Sequence, residues 1–290
     1  MKPPVLDQLH APDFDLTLTL DSGQVFHWER CGDGFVGIIG NRAIYAQQRG
    51  ETLFVTSRSS AEVGRYFALD HPLPEICCSF PKDAAMMAAR DYCRGLRVIR
   101  QPLWECLATF ITSSMKQVAH IRQMSRALRE QFGERHRLGN LDLYSFPAAS
   151  RLATATEKEL RDCALGYRAK NLLATARRVS SGEADLDLWR DLPSDELRAR
   201  LCELPGVGEK VANCVMLFAY ERLRAFPIDV WIERVLREKY FPRQRKVAAS
   251  KLRAFCDSYF GEHGGYAQQY LFHHARKTTA RTRSLASRRT

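Results

Sequence analysis

The chain has 290 residues, of which 45% are hydrophobic and 27% are charged, a composition typical of a soluble globular protein with one large or two modest domains. No apolar stretch is long enough to span a bilayer, and the N-terminus lacks the apolar core of a signal peptide, so we expect an intracellular protein that does not enter a membrane. The formal net charge of +11 favours a polyanionic partner, because each neutralised phosphate releases condensed counterions.

The N-terminal part is predicted to form short strands of an antiparallel sheet. Residues 16–20 alternate strictly between Leu and Thr, which is the period of a half-buried strand. Breaks that contain glycine or other turn residues follow, as in a series of hairpins. Further strands are predicted at 25–28, 35–39, 43–46 and 53–56, and helices at 60–69 and 83–95.

From about residue 102 onward the apolar residues recur at helical spacing, and short loops with Gly or Pro separate most of the segments. We therefore predict an α+β fold: an N-terminal antiparallel sheet domain at 1–98, followed by a mainly helical domain at 99–276. The basic tail at 277–290 lacks periodicity and is predicted to be disordered.

The nine cysteines are scattered along the chain. An odd number without regular spacing is not typical of a secreted disulfide framework. No two cysteines are separated by two residues, so we expect neither a zinc site nor an iron–sulfur cluster.

The most informative stretch is L-P-G-V-G-E-K at 204–210. One apolar helix ends at Leu204, a tight turn follows, and a second helix begins at once. Gly206 and Gly208 remove Cβ atoms, so another molecule can approach the backbone closely, and the first turn of the second helix presents unpaired N–H groups to an anion. A corner between two helices that binds nothing would have the same geometry.

This stretch resembles the helix–hairpin–helix motif of a DNA glycosylase superfamily, in which a Gly/Pro-rich loop and an essential Asp follow the hairpin. Here the hairpin would occupy about 194–221 and the loop 222–230, where A-F-P-I-D-V at 225–230 matches. Within the superfamily the resemblance is closest to the 8-oxoguanine DNA glycosylase/lyase family, and it extends from about residue 15 to 272. The matching stretches are S-G-Q-V-F-H-W at 22–28, F-I-T-S-S at 110–114, L-G-Y-R-A at 165–169 and A-Q-Q-Y-L-F at 267–272.

The resemblance implies that Lys210 is the nucleophile and Asp229 its carboxylate partner. Taken alone, Lys210 is a surface lysine and Asp229 an N-cap of the helix after it. For a nucleophilic role the amine must be deprotonated, which the positive end of a helix and a desolvated pocket both favour. The Asp229 charge would then stabilise the oxocarbenium-like transition state.

The base-binding residues are also implied by the resemblance. Cys214 and Phe272 would sandwich the flipped base, and Gln268 would bond its Watson–Crick edge. The carbonyl of Gly23 would accept a hydrogen bond from the N7–H that 8-oxoguanine has and guanine lacks. Taken singly, Cys214 and Phe272 are typical core residues and Gln268 a surface residue.

In the family the hairpin also holds a monovalent or calcium-like cation on three backbone carbonyls, which correspond to Cys202, Leu204 and Val207. Oxygen-only ligation suits such a hard cation, whose role would be structural. Phosphate would bind the N–H groups of Gly206, Gly208 and Val211. No redox cofactor is expected.

The chain departs from the family pattern on the side that faces the DNA. Three consecutive asparagines are replaced by Met115, Lys116 and Gln117, and an arginine that reads the opposite cytosine is replaced by His120. A methionine fills space without specific hydrogen bonds. We therefore expect a relaxed opposite-base preference. The remaining candidate DNA contacts are Tyr167, Arg168 and Trp231, the last standing where the family has a phosphate-contacting histidine.

We conclude that the chain is a bifunctional enzyme that excises 8-oxoguanine from double-stranded DNA and cuts at the abasic site, acting as a monomer in the nucleoid or nucleus. Two alternatives remain open: an alkylpurine glycosylase of the same superfamily, and a non-catalytic damage-binding module. Lys210 and Gly23 argue against the first, and the pairing of Lys210 with Asp229 against the second. An adenine or thymine-glycol glycosylase would bring four cysteines after Asp229, where only Cys256 stands.

Overall fold

The structure is a computed structural model that describes residues 6–114, 116–244 and 246–286. A five-stranded antiparallel sheet of order β1-β5-β4-β3-β2 forms the N-terminal part, and helices make up most of the rest, so the predicted α+β fold is confirmed. The strands are β1 (Leu6–His10), β2 (Glu29–Cys31), β3 (Gly34–Ile39), β4 (Arg42–Arg49), β5 (Thr52–Thr56), β6 (Arg135–Leu138) and β7 (Leu141–Tyr144).

The described residues form two hydrophobic cores, a smaller one between the sheet and the first two helices and a larger one among the remaining helices. Short 3₁₀ and π-helical turns extend several helices. In chain order they are α1 (Leu16–Asp21), α2 (Ser60–Tyr66), α3 (Leu73–Cys78), α4 (Ala84–Tyr92), α5 (Leu103–Ser113), α6 (Val118–Phe132), α7 (Ala149–Ala153), α8 (Glu157–Leu160), α9 (Arg168–Ser180), α10 (Ser194–Cys202), α11 (Glu209–Phe218), α12 (Val230–Val235), α13 (Ala249–Tyr259) and α14 (Gly264–Ala286).

The prediction of a strand at 16–20 was wrong, because this segment is α1. Asp15 caps the helix, its carboxylate accepting the N–H of Leu18 at 2.7 Å. Leu16 and Leu20 stand one helical turn apart, so a helix buries both on one face as effectively as a strand would. The alternation of Leu and Thr is therefore compatible with a strand and with a helix. The capping residue Asp15 is the feature that indicates the helix.

Residues 25–28 do not form the predicted strand either. The Gln24 side chain links this segment to the chain at 97–99: its amide nitrogen donates to the Arg97 carbonyl at 2.8 Å and its oxygen accepts the Ile99 N–H at 2.7 Å. Trp28 packs on Gly37 of β3, where a Cβ would lie 2.5 Å from the indole. The pattern at 25–28 thus reflects buried side chains on an irregular backbone.

The two predicted domains share a core. The larger hydrophobic cluster contains Phe26, Ile76 and Met86 from the N-terminal part together with buried residues of α5, α9 and α11. Every residue of α5 except Trp104 is buried, so α5 is the central helix of this cluster. The hairpin of β6 and β7 within the helical half was not predicted.

The last helix, α14, returns to the N-terminal part of the chain. The hydroxyl of Tyr270 donates to the Leu96 carbonyl at 2.9 Å, and Tyr270 is fully buried. The tail does not become irregular at residue 277 as predicted, because α14 continues to Ala286 and the Lys277 amine pairs with the Asp21 carboxylate. Within the described ranges, no helix is long and apolar enough to cross a membrane.

Candidate active site

The predicted helix–hairpin–helix is formed by α10, a tight turn and α11. Gly206 adopts a φ of +82°, and a Cβ there would lie 2.8 Å from the Asn171 Cβ, so this position requires glycine. Gly208 has an extended backbone, and a Cβ on it would meet nothing within 4 Å. The turn is fixed from α9, where Thr175 donates to the Pro205 carbonyl at 2.9 Å. The hairpin therefore presents an open glycine backbone at the start of α11.

Lys210 lies in the first turn of α11 and is half-buried. Its Nζ lies 5.1 Å from the centroid of the Phe110 ring on α5. It also contacts the thiol of Cys214, which stands one turn further along α11. Phe110 in turn stacks on Phe218, with 5.5 Å between ring centroids and 8° between the planes. The amine thus lies against an aromatic wall, at the positive end of a helix.

Asp229 caps α12, and its Oδ1 accepts the Ile232 N–H at 2.8 Å. Burial raises the pKa of the Asp229 carboxyl, whereas the Ile232 N–H and the nearby charge of Lys210 act in the opposite direction. The two predicted reactive groups are therefore close enough to interact electrostatically. Asp229 therefore both caps α12 and interacts electrostatically with Lys210.

The four predicted base-binding residues lie on three elements. Gly23 follows α1 with a φ of +86°, and a Cβ on it would lie 3.1 Å from Cε1 of Phe272. Burial raises the pKa of the Cys214 thiol to about 11, which keeps it neutral. Gln268 of α14 is 4% exposed, and its Oε1 has no hydrogen-bond partner among the residues that the structure describes.

These contacts join the predicted pocket to the predicted reactive pair. Gly23 lies against Phe272, Cys214 against Lys210, and Lys210 interacts with Asp229. The loop that carries Gly23 is held on α14, where the Gln269 amide donates to the Ser22 carbonyl at 3.0 Å. The helix that carries the base-binding side chains thus also positions the glycine.

Arg276 belongs to the same site and was missed by the sequence analysis. Its Nη1 lies 2.9 Å from the place of a Cβ on Gly23, and its guanidinium carbon lies 5.6 Å from the centroid of the Phe272 ring. It also interacts electrostatically with Asp229. The sequence places Arg276 one helical turn after Phe272, which could have indicated a shared site. The residue was not considered because the tail predicted to be disordered begins directly after it, at residue 277.

Of the predicted DNA contacts, Lys116 and His120 are exposed at the start of α6, and Tyr167 is 60% exposed. Arg168 is buried instead. Its Nε donates to the Ser114 carbonyl at 2.8 Å, and its guanidinium lies over the Tyr167 ring. Met115 lies outside the described residues. Trp231 is half-buried beneath Arg234, Gly206 and Gly208 are exposed, and Val211 is buried.

A cavity of about 170 Å³ borders Lys210, Asn213 and Ile228. A larger cleft of about 790 Å³ lies elsewhere, between α6 and the strands β2 and β3. None of the predicted site residues that the structure describes lines the larger cleft, so cavity volume alone would not locate the reactive pair.

Comparison with known proteins supports the assignment of this site. A family model described as the 8-oxoguanine DNA glycosylase N-terminal domain matches residues 8–107, and one described as HhH-GPD superfamily base excision DNA repair protein matches residues 108–257. The N-glycosylase/DNA lyase of Arabidopsis thaliana is 30% identical over 91% of this chain and 78% of its own length.

Solved structures agree. The 8-oxoguanine glycosylase/lyase of Clostridium acetobutylicum, in complex with double-stranded DNA containing cytosine opposite 8-oxoguanine, is 29% identical with a TM-score of 0.88, covering 96% of this chain and 100% of that one. The 3-methyladenine DNA-glycosylase of Archaeoglobus fulgidus, at 19% identity and a TM-score of 0.77 over 93% of this chain and 98% of its own, shares the fold.

The fold and the hairpin are those of the helix–hairpin–helix superfamily of base excision DNA repair proteins. Within it, this chain belongs to the 8-oxoguanine DNA glycosylase/lyase family, as its sequence predicted. The prediction of an enzyme, a DNA N-glycosylase with lyase activity, is confirmed at the level of the family.

Proposed function

We propose that this chain excises 8-oxoguanine from double-stranded DNA and then cleaves the abasic strand, with Lys210 as nucleophile. The observation that carries the proposal is the electrostatic interaction of Lys210 with Asp229. A silent DNA-binding module needs the hairpin glycines but has no use for a half-buried carboxylate that interacts with a lysine.

The reaction follows from these groups. The Lys210 amine attacks C1′ of the sugar, the glycosidic bond breaks towards the base, and the departing base takes up a proton as the amine loses one. Positive charge develops on the sugar, and the Asp229 carboxylate would stabilise that charge. The sugar ring then opens as the C1′–O4′ bond breaks and O4′ takes up a proton, which leaves a Schiff base between Lys210 and C1′. The Schiff base makes the C2′ proton acidic, and loss of that proton expels the 3′ phosphate by β-elimination.

Base recognition uses one acceptor and one buried amide. The Gly23 carbonyl accepts the N7–H that distinguishes 8-oxoguanine from guanine. The Gln268 Oε1 is buried without a hydrogen-bond partner in the part of the chain that the structure describes, and an unpaired buried acceptor costs about 1–3 kcal/mol. The N–H groups on the Watson–Crick edge of the flipped base would satisfy it. Cys214, neutral and buried, and Phe272 supply the two faces of the pocket.

The hairpin is the proposed phosphate site, through the N–H groups of Gly206, Gly208 and Val211. The carbonyls of Cys202, Leu204 and Val207 would hold a hard cation, which would add positive charge beside the phosphate. Side chains of α9 bind the alternate carbonyls, Arg178 donating to Glu203 at 3.0 Å and Thr175 to Pro205 at 2.9 Å. The Leu204 carbonyl accepts the Val207 N–H at 3.1 Å, so its second lone pair would serve the cation. With the net charge of +11, these groups suit a DNA-associated protein.

Opposite-base preference is proposed to be relaxed. Met115, Lys116 and His120 stand where the family has two asparagines and a cytosine-reading arginine. Lys116 and His120 are exposed, so neither is committed to the core. The buried Arg168 guanidinium is bound to backbone carbonyls, which leaves it fewer donors for a base edge.

The deciding experiment is borohydride trapping on a duplex with one 8-oxoguanine opposite cytosine, beside an undamaged duplex. We expect a covalent protein–DNA adduct with the lesion alone, and none with Lys210→Gln. Absence of the adduct while the protein still binds the duplex would reject this nucleophile and substrate. Release of 3-methyladenine without trapping would favour the alkylpurine alternative. That alternative is tested because the chain is 25% identical to a DNA-3-methyladenine glycosylase of Bacillus subtilis.

A further inference from the structure

Arg276 lies at the mouth of the proposed base pocket rather than on the outer surface. Its Nη2 donates to the Asp21 carbonyl, and its Nη1 lies next to Gly23, 2.9 Å from the place of a Cβ there. The guanidinium carbon lies 5.6 Å from the centre of the Phe272 ring. The side chain is half-buried. One nitrogen is thus used to hold the loop, and the other is directed at the glycine.

The chemistry of the lesion gives that second nitrogen a role. Oxidation of guanine changes two adjacent atoms: N7 becomes a donor, and C8 acquires a carbonyl oxygen, which is an acceptor. A pocket that recognises this edge fully needs an acceptor beside a donor. The Gly23 carbonyl is the proposed acceptor for N7–H, and Arg276 brings a donor to the same residue.

We propose that Arg276 is a base-contacting residue whose Nη1 donates a hydrogen bond to the C8 oxygen of 8-oxoguanine. This inference rests on the proposed function. Guanine, with a hydrogen on C8, offers no acceptor at that place. Recognition of the oxidised edge then has two parts, one through N7–H and one through O8, each supplied by a different element of the fold.

The neighbouring residue provides a matched control. Lys277 carries the same charge and pairs with the Asp21 carboxylate, yet it makes no recorded contact with Gly23 or Phe272 within the described part of the chain. Lys277→Ala removes a positive charge and a link to Asp21 without removing the donor near Gly23. A general effect of charge on DNA binding would affect both variants alike.

The test measures three single-turnover rates for the wild type, Arg276→Ala and Lys277→Ala: base release from an 8-oxoguanine duplex, base release from an 8-thioguanine duplex, and strand cleavage of a preformed abasic duplex. Sulfur keeps N7–H but is a weak acceptor. The abasic duplex contains no base, so its cleavage reports the fold, the hairpin and the Lys210–Asp229 pair without base recognition.

We expect Arg276→Ala to slow release of 8-oxoguanine by about tenfold or more, as for a lost hydrogen bond to a charged donor. Release of 8-thioguanine should fall much less, and abasic cleavage should not change. Lys277→Ala should keep all three rates near those of the wild type. If Arg276→Ala does not cleave the abasic duplex, Arg276→Gln, which keeps a donor for the Asp21 carbonyl, takes its place in the same comparison.

An equal loss on the oxo and thio lesions would overturn the proposal, because Arg276 would then act only by positioning Gly23. No loss on 8-oxoguanine would overturn it as well. A wild-type protein that cleaves the abasic duplex but releases no 8-oxoguanine would reject the proposed function itself, and this inference with it.

Discussion

The amine of Lys210 lies over the face of Phe110, with 5.1 Å between Nζ and the ring centroid. The ring packs against the side chain of Lys210 and fixes the position of its amine. We expect Phe110→Leu to lower the free energy of unfolding by about 1–2 kcal/mol and to slow borohydride trapping at the same time, because the amine loses the surface that orients it.

Phe218 supplies the control for that prediction. It stacks on Phe110, but in the described ranges its ring forms no cation–π contact with Lys210. Phe218→Leu should therefore cost a similar amount of stability in a denaturant titration while leaving trapping close to the wild-type rate. Equal slowing of trapping by both variants would mean that the ring stack, and not the contact with the amine, sets the rate.

The raised pKa of Asp229 predicts that the charged carboxylate needed for activity lowers the stability of the folded chain. Its carboxyl has a higher pKa in the folded chain than in the unfolded chain, where it is near ~3.9. The folded state therefore binds the proton more tightly, and stability falls as the pH rises from the unfolded pKa through the folded one. At neutral pH the buried charge opposes folding.

Asp229→Asn should thus be more stable than the wild type at neutral pH, since asparagine caps a helix as well as aspartate does. The difference should shrink as the pH is lowered towards the ordinary range of a carboxyl group. Trapping and base release should be lost. Thermal unfolding from acid to neutral pH checks this, and a wild type more stable than the variant at neutral pH would contradict it.

The pairing of Lys210 with Asp229 stays a prediction of the family resemblance, but the local structure around each residue could be predicted from the sequence. The hairpin glycines and Lys210 lie within one short segment, and the Asp229 cap is a property of α12 and its first turn. Residues 16–20 were misassigned because their alternation suits a strand and, at the spacing of Leu16 and Leu20, a helix as well. Only the packing of two cores against α1 decides between them.

The roles of two arginines could not be predicted, because each depends on a partner far along the chain. Arg168 is bound to the carbonyl of Ser114, and Arg276 to that of Asp21. The family motif contains Arg168 but does not say whether it faces the DNA or the protein. Arg276 follows the last matching stretch, where the helical pattern and the tail composition indicate different structures.

Alanine substitutions at the two hairpin glycines should have different effects: at Gly206 on folding, and at Gly208 on DNA binding. In Gly206→Ala the alanine must adopt a left-handed backbone conformation, and its Cβ meets the side chain of Asn171. The substitution should lower the free energy of unfolding by at least about 1–2 kcal/mol. Gly208 has an extended backbone with open space around it, so Gly208→Ala should fold normally. It should nevertheless weaken binding of damaged and undamaged duplexes alike, because the Cβ stands where phosphate approaches.

Unfolding curves and duplex affinities for the two alanine variants check this prediction. Wild-type affinity in Gly208→Ala would mean that the start of α11 does not face DNA. A thermally stable Gly206→Ala would mean that the turn relaxes away from Asn171, and the strain argument would then fail.

Opposite-base preference should be weak in the wild type and should be restored by one substitution. A bidentate contact from arginine to a base edge is worth about 1–3 kcal/mol of discrimination, and His120 stands where the family has the arginine. We expect excision opposite cytosine and opposite adenine to differ by less than about tenfold in the wild type. His120→Arg should widen that ratio in favour of cytosine, because the exposed start of α6 leaves room for the longer side chain.

Ala119→Arg, which adds the same charge at the adjacent exposed position, should raise affinity for every duplex without changing the ratio. A ratio that moves equally in both variants would assign the effect to charge rather than to base reading.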